Sequence, residues 1–315
     1  MECRILQIKD YNLGNKSTPL SSPLSSPQNI SLTLDAGEIA LIIGLENAGK
    51  SRLLAAVAGN IPSQGEILIS SAKPGTPEAK QLVGYVPALD SLYAELTCLQ
   101  YLGMFSEIFG VERHYRPYII REALALVHLE GYEDTLIGDL EDEYKRRCLC
   151  LARALVHDPR LLVIDEVLTD VDHLHIKSFL DILNNIRRRG KALLLSGSQL
   201  GDFAELADQL CYLENGYMFL QGRSADLQSQ LTRYHLFQIQ TLNAQVGYKA
   251  MAYMKKFSAD ARVISLRRNV LDSSKWRVVF CGSIDEFNSC VEEMNACGMH
   301  VVSCWENRSF FGQVI

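Results

Sequence analysis

The stretch Gly44-Leu45-Glu46-Asn47-Ala48-Gly49-Lys50-Ser51 follows an apolar run, Ile39-Ala40-Leu41-Ile42-Ile43, and precedes a helix-like run, Arg52-Leu53-Leu54-Ala55-Ala56-Val57. It is the G-x-x-x-x-G-K-[ST] phosphate loop in its strand–loop–helix setting. Glycines let the backbone curl so that successive N–H groups converge as an anion nest. The helix that follows adds its positive N-terminal end. Gly44, Asn47, Ala48, Gly49, Lys50, Ser51 and Arg52 are therefore the predicted cradle for a nucleotide. Lys50 is placed to reach the β- and γ-phosphates, and Ser51 to hold Mg2+.

Further along, the apolar strand Leu161-Leu162-Val163-Ile164 closes on Asp165-Glu166. An Asp there orders Mg2+, and the next carboxylate can polarise an attacking water. Acidic residues often end a strand, so the pair gains meaning only beside the phosphate loop.

With 315 residues the chain has room for about two domains at roughly 100–200 residues each, and its 48% hydrophobic content suffices for a packed core. A formal net charge of −6 gives no general attraction to nucleic acid. Two short basic runs, Lys145-Arg146-Arg147 and Arg187-Arg188-Arg189, read as solvated helix faces. No segment approaches the ~18 consecutive apolar residues of a membrane-spanning helix. The N-terminus leads into an alternating strand rather than the apolar region of a signal peptide. The nine cysteines are scattered without a CxxC or zinc spacing, which points to free thiols in a reducing, cytoplasmic compartment.

Residues 3–13 alternate as a strand, Asn15 to Pro27 is a Ser/Pro-rich surface loop, and Ile30 to Leu34 is a second strand. Gly65 to Ile69 and Leu82 to Val86 read as further strands. From Ser91 to about Cys150 the pattern is helical, with breaks near Gly110 and Gly131. A helix from His173 to Arg189, a strand Ala192 to Leu195, and a hairpin of Cys211 to Leu213 with Tyr217 to Leu220 through Asn215-Gly216 follow. Alternating buried strands and helices predict an α/β fold around a mostly parallel sheet covered on both sides. Beyond about Tyr234 the order is strand (Leu236 to Leu242), helix (Gly247 to Phe257), strand (Arg262 to Leu266), strand (Trp276 to Cys281), helix (Ile284 to Cys297) and strand (His300 to Cys304). That β-α-β-β-α-β order predicts a small α+β ferredoxin-like domain. The expected domains are 1–230, with a helical subdomain at about 91–150, and 235–315. The second contains no motif and reads as a packing or dimerisation appendage, with allosteric ligand sensing as the other option.

Two further stretches complete a pattern: Lys145-Arg146-Arg147-Cys148-Leu149-Cys150-Leu151-Ala152-Arg153-Ala154-Leu155-Val156-His157-Asp158-Pro159, and Val83-Gly84-Tyr85-Val86-Pro87 with Leu92-Tyr93-Ala94-Glu95-Leu96-Thr97. The first tracks the helix after the signature of ATP-binding cassette (ABC) proteins, and the second tracks the segment around their Q-loop. Residues 3–225 thus resemble the nucleotide-binding subunit of an ABC transporter, and the C-terminal extension resembles the small domain of some ABC-2-type exporter subunits. The resemblance implies a P-loop NTPase cassette with a helical subdomain, binding ATP with Mg2+. Ser51 and Asp165 would lie at the metal and Glu166 at the hydrolytic water. Tyr11 would stack on adenine, although an ordinary strand-end Tyr fits the position equally. Asp172 would be the D-loop Asp, the N-cap of the next helix, or both. The implied partners are an integral-membrane permease, contacted by the helical segment from Ser91 to Cys150, and a second cassette. The chain would lie peripherally on the inner face of the cell membrane.

The departures from the family pattern are specific. Ala88 stands at the Q-loop Gln, Ser198 at the switch His, Asn47 at a usual Gly of the phosphate loop, Arg52 at a small hydroxyl residue, and Val167 at the Pro after the catalytic Glu. Where the family has Leu-Ser-Gly-Gly-x, this chain has Leu140-Glu141-Asp142-Glu143-Tyr144. Like charges ~4 Å apart at an effective dielectric near 20 repel by about 4 kcal/mol, so these carboxylates cannot clamp a phosphate; they read as helix N-terminal acids. The expectation is ATP hydrolysis that is slow or asymmetric, in a pair with a different cassette. The alternative is a module in which ATP only stabilises an assembly. A DNA-associated cassette is disfavoured by the acidic charge.

Overall fold

Strands covered on both faces require unbroken apolar runs. Ile39–Ile43, Leu161–Ile164 and Ala192–Gly197 bury every one of their residues. They are β3, β6 and β7 of the computed structural model, which describes residues 4–11, 30–44, 48–62, 65–88, 92–140, 142–166, 171, 173–197, 203, 205–214, 217–231, 234–242, 248–260, 262–268 and 273–306. Among these the chain divides into two compact units, one through Ser224 and one from Ala225.

In the first unit β3, β6 and β7 join β5 (Val83–Val86), β8 (Gln209–Glu214) and β9 (Tyr217–Arg223) in one six-stranded sheet, in the order β5-β6-β7-β3-β8-β9. All neighbours are parallel except the β8–β9 hairpin. Its turn residues, Asn215 and Gly216, lie outside the described residues.

Not all strands enter that sheet. β1 (Arg4–Tyr11), β2 (Ile30–Asp35) and β4 (Glu66–Ile69) form a separate antiparallel sheet in the order β2-β1-β4. β2 alternates buried and exposed residues along its first five positions, as a strand with one wet face does. Helix α1 (Lys50–Val57) contributes Leu53, Leu54 and Val57 to a core shared with Leu6, Leu32 and Leu34 of the small sheet and Ile42, Val163 and Leu194 of the large one.

α2 (Pro77–Leu82) precedes β5 and is capped by Thr76, whose hydroxyl accepts the Ala79 N–H at 3.3 Å. The helical segment contains α3 (Cys98–Ile108), α4 (Arg116–Leu126) and α5 (Glu143–Leu155), which pack on one another, and α5 also packs on β5. Gly110 and Gly131, at φ 75° and 85°, reverse the chain after α3 and α4. α5 runs five residues past the expected boundary at Cys150, to Leu155, because its buried stripe continues through Leu151, Ala152 and Ala154. α6 (His173–Arg188) leads into β7.

Helix α7 (Ser224–Leu231) starts on the last residue of the first unit, and its remainder opens the second. The second unit continues through β10 (Tyr234–Thr241), α8 (Tyr248–Phe257), β11 (Val263–Arg268), β12 (Lys275–Cys281), α9 (Ile284–Ala296) and β13 (Val301–Glu306). The four strands pair antiparallel in the order β11-β12-β10-β13, the ferredoxin-like arrangement. Phe287 of α9 stacks on Phe237 of β10 at 3.7 Å within a core that includes Ile239, Phe280 and Met294. All eight described cysteines are free thiols, and no helix among the described residues is long and apolar enough to cross a membrane.

His157, in the turn from α5 to β6, stacks on Phe109 at 3.8 Å and places Nε2 3.0 Å from the Val83 carbonyl oxygen. Burial pushes its pKa down from 6.5 to about 4. The folded state thus resists protonation, so the contribution is complete above pH 6.5 and is lost as pH falls toward 4. From this group alone, acidification from about pH 7.5 to pH 5 should cost about 2 kcal/mol. Urea unfolding at both pH values should show that portion missing in His157→Phe; an identical pH dependence in the two proteins would refute it.

Candidate active site

The phosphate loop is set by a close approach of two strands. A Cβ on Gly44, just after β3, would lie 2.2 Å from the Leu213 carbonyl oxygen of β8, so only glycine fits. Gly49 takes φ 105° as the N-cap of α1, in a region open chiefly to glycine. No side chain caps α1, and its first turn has no acidic residue. A helix that starts on glycine, without a capping side chain at its N-cap, has the kind of end that takes up an anion.

Lys50 is buried, and its Nζ donates to the Gly44 carbonyl oxygen at 2.6 Å. The same ammonium meets Glu166 Oε1 at 2.9 Å. The loop cation and the candidate base, far apart in sequence, thus lie in one ion pair.

Asp165 and Glu166 follow β6, whose Ile164 lies opposite Leu195 of β7. The next residues along both strands are Asp165 and Ser196. The Ser196 hydroxyl donates to Asp165 Oδ1 at 2.6 Å and accepts the Glu166 N–H at 2.9 Å. The Asp165 N–H donates to the Val86 carbonyl oxygen at 2.8 Å. Glu166 has φ 47°, a left-handed conformation costing roughly 1–2 kcal/mol outside glycine; such strain collects at functional sites.

The underside of this corner is held by Arg147 of α5. Its Nη1 donates to the Pro87 carbonyl oxygen at 2.7 Å, and its Nη2 to those of Asp165 at 2.5 Å and Glu166 at 3.2 Å. This corrects the reading of both basic runs as solvated faces. Arg147 is 7% exposed. Arg187 is half-buried and joins Asp208 at 2.6 Å and the Gly37 carbonyl oxygen at 3.0 Å. A run of three charges on a helix spans most of one turn, so one member turns inward where acceptors await it.

The remaining expected residues fall as follows. Ala48 is buried, whereas Ser51 and Arg52 are exposed. Tyr11 is 3% exposed within the core of the unit, and burial raises its pKa against the opposing charge of Arg52; that burial supports the core role of the two open to it. Ala88 is half-buried. Asp142 caps α5, accepting the Tyr144 N–H at 2.9 Å, and Glu143 pairs with Arg146 at 3.0 Å. Asn47, Glu141, Val167, Asp172 and Ser198 lie outside the described residues.

The donor set fits a nucleoside triphosphate with Mg2+. The uncapped helix end and Lys50 suit phosphate oxygens. Ser51 and Asp165 supply the hard oxygen atoms that Mg2+ takes.

Residues 27–169 match the family model described as ABC transporter. Nod factor export ATP-binding protein I of Rhizobium sp. (strain N33) is 33% identical over 197 residues, covering 61% of this chain and 64% of that one. Its counterpart in Rhizobium meliloti (strain 1021) is 34% identical over 198 residues, covering 62% and 58%. The chain thus spans about three-fifths of the length of the curated relatives it matches. Among solved structures, cbiO1 from Clostridium perfringens, part of the ABC transporter complex cbiONQ, superposes with a TM-score of 0.62 over 73% of this chain and 92% of that one, at 19% identity. At that identity the likeness concerns the fold, that of a P-loop cassette.

Ser196 and Arg147 escaped the sequence reading. Ser196 had a usable signal, a hydroxyl in an otherwise apolar strand ending abreast of Asp165. Ser196→Ala should leave the buried Asp165 Oδ1 and Glu166 N–H without this partner, lowering stability by about 1–3 kcal/mol in chemical denaturation. A loss under a few tenths of a kcal/mol would show that the hydroxyl does not hold the corner.

Proposed function

We propose that this chain, whose residues 27–169 match the ABC transporter family model, is the ATP-binding subunit of such a transporter, taking up ATP with Mg2+ and driving an integral-membrane permease. The ion pair of Lys50 with Glu166 carries the reading, because it joins the phosphate-binding cation to the candidate base. A triphosphate in the loop offers Lys50 its β- and γ-oxygens in place of the carboxylate. Glu166, released, accepts a proton from water as the water oxygen bonds to the γ-phosphorus. The bond to the bridging oxygen breaks, and ADP leaves with its electron pair. Mg2+, held by Ser51 and Asp165, would offset charge on the phosphate oxygens.

Hydrolysis on this reading is slow. Ala88 cannot orient water, and Ser198 cannot take up a full charge near neutral pH; such help is typically worth 10²–10⁴-fold. The acidic segment through Asp142 and Glu143 argues for pairing with a different cassette that has an intact signature, giving one better and one degenerate site. The helical segment would meet the permease, so the chain works at the inner face of the membrane. Relatives named for Nod factor export support an exporting partner; the cargo is chosen by the permease.

Glu166→Gln should lower ATP turnover by roughly 10²-fold or more, as expected for a lost general base. It should leave ATP affinity equal or higher, since Lys50 loses an anionic competitor. Steady-state turnover and equilibrium binding read the two effects, and an unchanged rate would exclude Glu166 as the base. Affinity capture of the tagged full chain from its native host should bring down a permease and a second cassette. A tight, fast-hydrolysing homodimer would contradict the pairing.

A further inference from the structure

We propose that Arg147 is a positioning residue for the metal-dependent part of nucleotide binding, an inference that rests on the ATP·Mg2+ reading of the site. A guanidinium 7% exposed is expensive to bury unless its donors are used. Among the described residues it has no carboxylate within ion-pair reach. Its bonds go instead to three main-chain carbonyl oxygens, those of Pro87, Asp165 and Glu166. Its Nε, also buried, has no acceptor among the described residues. A side chain placed only for packing or charge balance has no need of this arrangement.

The three carbonyls are informative. Pro87 closes β5 immediately before Ala88, while Asp165 and Glu166 close β6. The planar fork spans both strand ends from below and fixes the peptide planes from which the Asp165 and Glu166 side chains rise. It acts where Glu166 departs into the left-handed region, at φ 47°. Ser196 holds the same two residues from the side, through the Asp165 carboxylate and the Glu166 N–H. Ser196 thus fixes one side chain and one amide, and Arg147 fixes the two carbonyls. Because Arg147 sits one turn into α5, the acidic start of that helix and the metal-side carboxylate share one rigid link.

A lysine keeps the charge but cannot span two strand ends with a single ammonium. The expected defect is therefore selective. The hydrogen bonds of Arg147 go to the β5 and β6 ends and not to Gly44, Lys50 or α1 among the described residues, so these should hold ATP as before. Only the tightening that Mg2+ brings, through Asp165, should suffer.

The test measures ATP affinity of the full chain in Mg2+ and in EDTA, for the wild type, Arg147→Lys and Arg147→Gln. In the variants, the ratio of the two dissociation constants should shrink at least fivefold while the EDTA value stays within about twofold of wild type. An unchanged ratio overturns the proposal, as does a parallel loss in both buffers, which is general damage. Failure of both variants to fold assigns Arg147 to structure alone and also overturns it. Absence of ATP binding by the wild type in either buffer instead refutes the ATP reading itself.

Discussion

One ammonium group organises the first unit. Lys50 is buried between the Gly44 carbonyl oxygen and the Glu166 carboxylate, and so ties the loop after β3 to the corner after β6. In the sheet these strands are not neighbours, since β7 runs between them. The gap is closed by the end of β7 itself, whose Ser196 hydroxyl bonds both residues of the corner. Strand order therefore determines which side chains can meet. A buried charge is tolerable only when paired and hydrogen-bonded, and the fold supplies one acceptor from the loop and one from the corner.

The same unit contains a second helix start, that of α5, built differently. Here the Asp142 carboxylate accepts the Tyr144 N–H, so a donor that would serve an anion is satisfied internally. Tyr144 stacks on His175 at 4.3 Å and its hydroxyl meets Ser178 at 3.1 Å, fastening the helix start to α6. The phosphate loop, by contrast, leads into a helix whose N-cap is Gly49, which supplies no side-chain cap. Within one chain, one helix start has a carboxylate cap at its N-cap position and the other does not.

Much of this was legible beforehand where a local rule applies. The phosphate loop shows its glycine spacing, the central strands their unbroken apolar runs, and the second unit its order of elements. What was missed depended on distance. That β1, β2 and β4 leave the main sheet is decided by their mutual pairing, which no window of sequence contains. α2 is short, and its Thr76-Pro77 cap signal is weak beside the stronger strand that follows. α7, opening on Ser224, passed unnoticed between a hairpin and a new domain. Arg147 was hidden by its company: beside Lys145 and Arg146 it reads as one more surface charge, and only the three-dimensional placement of the Pro87, Asp165 and Glu166 carbonyls gives it an interior task.

The approach of Gly44 to Leu213 has a temporal side. β3 lies between β7 and β8, and the Ile39 N–H is accepted by the Asp208 carboxylate, 169 residues later in the chain. During synthesis the glycine loop leaves the ribosome early, yet the walls that shape it are among the last parts of the unit to appear. Contacts so distant along the chain form slowly. The nascent chain must therefore protect an unfinished hydrophobic strand until β8 has emerged, and only then does the loop acquire its shape.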